Sequence, residues 1–91
     1  MNNKTRTQLR KISDNMDTLL CTIETIKSDI ETIQEDEQEK YDNMPEQLQD
    51  TENGCRMYEG IEALEDIVSR LDSLIDELSD ISGDTLNVTE I

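Results

Sequence analysis

Residues 9–33 read LRKISDNMDTLLCTIETIKSDIETI, and the apolar positions in this stretch decide the fold. Leu9, Ile12, Met16, Leu19, Ile23, Ile26, Ile30 and Ile33 are separated by 3, 4, 3, 4, 3, 4 and 3 residues. That is a helical seam of two rows, and the period of two that a strand needs is absent. No Gly or Pro falls between Met1 and Met44. The spacing predicts one helix over 4–42, roughly 58 Å long at about 1.5 Å per residue.

A second seam follows at Met57, Ile61, Leu64, Val68, Leu71, Ile75 and Leu78, with an outer row at Ile67, Leu74 and Ile81. It predicts a helix over 52–82, capped by Asp50 or Thr51 and ended by Gly83. Pro45 disfavours helical geometry at Met44 and lacks an amide donor, so the first helix should stop there. Residues 43–51 form the connector, in which Pro45-Glu46-Gln47-Leu48 can make one helical turn. So short a connector implies antiparallel neighbours. Residues 1–82 are read as one all-α, coiled-coil-type helical hairpin, with 83–91 as a flexible tail. Lys4, Arg6, Arg10 and Lys11 would lie beside Asp72, Asp76, Glu77, Asp80 and Asp84, which favours this register.

The outer row of the second helix cannot be covered by one partner helix. Left in water it would form a continuous apolar strip. Ile67, Leu74 and Ile81 are therefore the expected oligomer interface, and a dimer of hairpins, a four-helix bundle, is the simplest architecture.

The 91 residues carry a net charge of −15 with no His, Phe or Trp. Such a chain repels nucleic acid and anionic membranes. The four cations at its start are too few to reverse that, so direct DNA binding ranks last. No apolar run is long enough to span a membrane, and no signal peptide is recognisable. Cys21 and Cys55 form neither a metal motif nor a disulfide framework, which fits a reduced, cytoplasmic compartment. Without His there is no catalytic triad and no Glu-x-x-His metal pair. A narrow aliphatic bundle offers the carboxylates no dry pocket for acid–base work. The expectation is a non-enzyme with no cofactor and no metal.

The connector region is the most distinctive. Residues 35–52 hold eight acids (Glu35, Asp36, Glu37, Glu39, Asp42, Glu46, Asp50 and Glu52) against one cation, Lys40. Tyr41, Met44 and Leu48 lie among them. They either seal the end of the helix pair or anchor a partner inside an acidic ring. The expected partner-binding set is Glu35, Asp36, Glu39, Tyr41, Asp42, Met44, Glu46 and Leu48.

The segment from Glu35 to Ile81, and above all Tyr41, Asn43, Pro45, Leu48 and Gln49, resembles small acidic helical-hairpin proteins of Gram-positive phages and mobile elements. The resemblance implies a prophage or integrative-element setting. Small acidic proteins there often inhibit host defences, as anti-CRISPR proteins do when they occupy DNA-binding grooves. A dimer with a charge of −30 over roughly 58 Å approaches the charge density of duplex DNA, one per about 1.7 Å. The expectation is an acidic inhibitor of a basic host nuclease of the CRISPR or restriction type. The alternative is a dimeric coiled-coil adaptor or structural protein with no nuclease target.

Overall fold

Asn2 begins the first helix: its Oδ1 accepts the Thr5 amide at 2.8 Å, satisfying one of the amides a helix start leaves free. In the structure, a computed structural model that describes residues 1–91, α1 then runs Asn3–Asp42, α2 Glu46–Gln49 and α3 Glu52–Val88. There is no strand. The chain divides into two units, residues 1–25 with 72–91 (unit 1) and residues 26–71 (unit 2).

In unit 2 the end of α1 and the start of α3 are antiparallel, joined through α2. The inward residues of α1 there are Lys27, Ile30, Gln34, Glu37 and Tyr41, and those of α3 are Gly54, Met57, Ile61, Leu64, Val68 and Leu71. Ile61 is the single buried aliphatic residue. In unit 1 the inward residues are Leu9, Ser13, Met16, Leu20 and Ile23 from α1. From α3 they are Ile75, Leu78, Ser82, Thr85 and Thr89. On both helices the inward positions alternate by 3 and 4, the spacing of a coiled-coil seam.

Two expectations need correcting. The first concerns which rows face inward. Leu9, Met16, Ile23 and Ile30 turn inward as expected, but their companion row, Ile12, Leu19, Ile26 and Ile33, does not. Its members are 46–54% exposed, and Ser13, Leu20, Lys27 and Gln34 take the inward places. A seven-residue period specifies a face, and one neighbouring helix covers only part of a face this wide. The second concerns Gly83 and the tail. Gly83 has no positive φ, so it forms no left-handed cap, and α3 continues to Val88. The continuation keeps Ser82, Thr85 and Thr89 on the inward spacing and buries Ser82 and Thr89. Three short backbone bonds, from Thr89, Glu90 and Ile91 to Leu86, Asn87 and Val88, finish the chain.

Candidate functional site

The acidic end of unit 2 is built around the stop of α1. The Gln49 side-chain amide donates to the carbonyls of Tyr41 (2.8 Å) and Met44 (3.2 Å). The Tyr41 carbonyl also accepts the Met44 amide at 3.1 Å, so backbone and side chain together close the helix end. Pro45 opens α2 with φ −55° and ψ 140°. Its carbonyl accepts the amides of Leu48 and Gln49. Thr51 begins α3, its Oγ1 accepting the Gly54 amide at 3.2 Å. Gly54 is buried, and a Cβ placed on it would land on the backbone oxygens of Gln49 and Leu48. Only glycine lets α3 start this close to α2.

On this frame Glu35, Asp36, Glu39, Asp42 and Glu46 are all exposed. Glu31, Glu35, Glu39 and Asp42 follow one another at the three- to four-residue spacing that shares a helix face. With Gln34, Gln38, Asn43 and Val68 they line an open depression of about 580 Å³. Asp42 accepts a hydrogen bond from Gln38 at 2.9 Å, and Lys40 is paired with Glu37 at 3.2 Å. So many acids around one open depression make it attractive to cationic groups. No three acids or cysteines converge closely enough to hold a metal ion.

The apolar members of the expected set separate. Leu48 is half exposed, whereas Tyr41 and Met44 are half-buried within the end itself. The Tyr41 ring packs against that of Tyr58, centroids 5.6 Å apart and tilted by 46°. The Tyr58 phenol is held above its ordinary pKa, first by a hydrogen bond to the Glu62 carboxylate and then by its charge. Tyr41 and Met44 thus pack partly into the end, and Leu48 stands out from it.

In unit 1 a polar cluster went unread in the sequence. Ser13 and Ser82 are buried with their hydroxyls 3.0 Å apart, and Ser82 also donates to Asp17 at 2.7 Å. The Ser13 and Ser82 hydroxyls and carbonyls thereby bridge α1 and α3 side by side. The signal was present: Ser82 stands four residues after Leu78, where the seam spacing calls for an inward residue. Lys4, Arg6, Arg10 and Lys11 form no salt bridge; the ion pairs of Lys40, Arg56 and Arg70 are all within one helix. Cys21 and Cys55 are exposed and free.

No protein-family model, curated protein or solved structure matches this chain. Its helices contain no segment long and apolar enough to cross a membrane.

Proposed function

We propose that this chain is a non-enzymatic protein-binding module whose acidic end in unit 2 engages a basic groove on a partner protein. The observation that carries the reading is the row of exposed carboxylates Glu35, Asp36, Glu39 and Asp42 on one side of α1, with Leu48 as the exposed apolar residue beside them. Unit 2 holds fourteen acids and four cations, so approach to a basic groove is accelerated and approach to nucleic acid is opposed. In its narrowest form the reading is an inhibitor, carried by a phage or mobile element, of a host defence nuclease whose Lys and Arg otherwise hold phosphates.

The test is inhibition of DNA cleavage by a panel of CRISPR and restriction nucleases from Gram-positive bacteria. The parent chain should inhibit at least one member, with binding that weakens steeply as salt rises. The triple change Asp36→Lys, Glu39→Lys, Asp42→Lys should remove the inhibition and slow association most at low ionic strength. It should leave helix content intact, because these residues are solvent-facing and cations suit the end of a helix. A panel with no inhibited member, or a triple variant as potent as the parent, overturns the reading.

A second reading, a dimeric coiled-coil adaptor, is favoured by a different observation. Large aliphatic side chains stand exposed in rows on both long helices. Ile67, Leu74 and Ile81 on α3 are 38–47% exposed.

A further inference from the structure

In unit 2 the exposed aliphatics of the two long helices are Ile26 and Ile33 on α1 and Ile67 on α3. Each is the residue just before an inward one: Lys27, Gln34 and Val68. In two antiparallel helices, residues at that position flank the seam on the same side, so the rows share one face. Unit 1 repeats the arrangement with Ile12, Leu19, Leu74 and Ile81. The borders of the unit 2 face are charged in opposite senses. Three residues beyond Ile26 and Ile33 stand Asp29 and Asp36, on the α1 border. Three beyond Ile67 stands Arg70, and four before Gly60 stands Arg56, on the α3 border. Both arginine side chains are largely in solvent, 78% and 71% exposed.

We propose that this face seats a second copy of the chain, turned so that unit 2 lies on unit 2 and the α1 row of each copy faces the α3 row of the other. That orientation sets each acidic border against a basic one. Asp36 lies 6 residues before the end of α1, and Arg56 lies 4 after the start of α3. Asp29 and Arg70 stand 13 and 18 residues from the same ends. The mismatches are about 3 and 7.5 Å along the axis, within an arginine's reach. The opposite orientation lays α1 on α1 and loses both pairings.

The proposal deepens the adaptor reading. Self-association decides it, whereas nuclease inhibition decides the acidic-end reading, so the two fail separately. Sedimentation equilibrium of the purified full chain at micromolar concentration should give a dimer. Asp29→Arg or Arg70→Asp alone should weaken it about tenfold, and the two together in one chain should restore it to within about threefold. Ile67→Glu should weaken it at least a hundredfold with helical circular dichroism unchanged. A monomeric parent means that the face belongs to another protein and overturns the proposal, as does an Ile67→Glu chain that still dimerises like the parent. A double charge swap no tighter than either single swap overturns the orientation. If Ile67→Glu loses helix, the charge swaps decide, since exposed border residues leave the fold intact.

Discussion

In unit 2 the start of α3 is brought against α2 where Gly54 admits the carbonyl oxygens of Gln49 and Leu48. In unit 1 α1 and α3 meet where Ser13 and Ser82 share their hydroxyls, with Asp17 as a further acceptor. The first junction depends on a missing side chain, and the second on side chains that can be exchanged. Charge differs as well. Unit 1 has four cations and nine acids, and unit 2 four cations and fourteen acids. Unit 2 carries the denser charge on the more exacting backbone, so its geometry should be the less forgiving of substitution.

The largest effect is therefore expected at Gly54. Gly54→Ala places a methyl group against two backbone oxygens that cannot swing aside, and should cost about 2–3 kcal/mol, in the range of an overpacked core. Urea denaturation at fixed protein concentration measures it. A variant as stable as its parent would show that α2 and the start of α3 separate easily, and the contrast between the two junctions would collapse.

This contrast also explains how far the fold was legible. The two long helices follow from aliphatic spacing and from Pro45, because both act locally. The start of α3 follows from Thr51, whose hydroxyl takes the Gly54 amide. The rotation of α1 about its axis was not legible. Ile12, Leu19, Ile26 and Ile33 are better apolar residues than Ser13, Lys27 and Gln34, and a rule that buries the most apolar row turns the helix the wrong way. What it misses is that α1 and α3 each have more apolar rows than one neighbour can cover. At the acidic end, the exposure of Glu35, Asp36, Glu39 and Asp42 follows from charge. The inward turn of Tyr41 follows from contacts with Gln49 and Tyr58, partners eight and seventeen residues away that no local rule supplies.

A smaller effect is expected at the hydroxyl junction. Ser82→Ala removes the Ser82 hydroxyl from Ser13 and one donor to Asp17, leaving the Ser13 hydroxyl the Ser82 carbonyl at 3.2 Å, and should cost about 1 kcal/mol. Adding Ser13→Ala should cost less than Ser13→Ala does in the parent, because the shared hydrogen bond is already gone. A double-mutant cycle by thermal unfolding then gives a coupling of about 0.5 kcal/mol or more. Strict additivity would mean that aliphatic packing alone sets the register in unit 1, and would remove its polar character from the comparison.

The smallest effect, and the one of opposite sign, lies at Gly83. As a left-handed cap, this glycine would be spoiled by a side chain, and Gly83→Ala would destabilise the end of α3. In the structure it is an ordinary helical residue: no glycine has a positive φ, and a Cβ at Gly83 meets nothing within 4 Å. Alanine then replaces the poorer helix former at an open position. The expected outcome is a gain of about 0.5–1 kcal/mol. Amide exchange at Thr85, Leu86 and Asn87 should slow with it, since these residues lie one turn on in the same helix. A loss of stability, or unchanged exchange beyond Gly83, would end α3 near Ser82 and leave Thr89 unburied. A gain gives unit 1 a helix that persists through Val88, and that persistence seats Thr85 and Thr89 on the seam beyond Ser82.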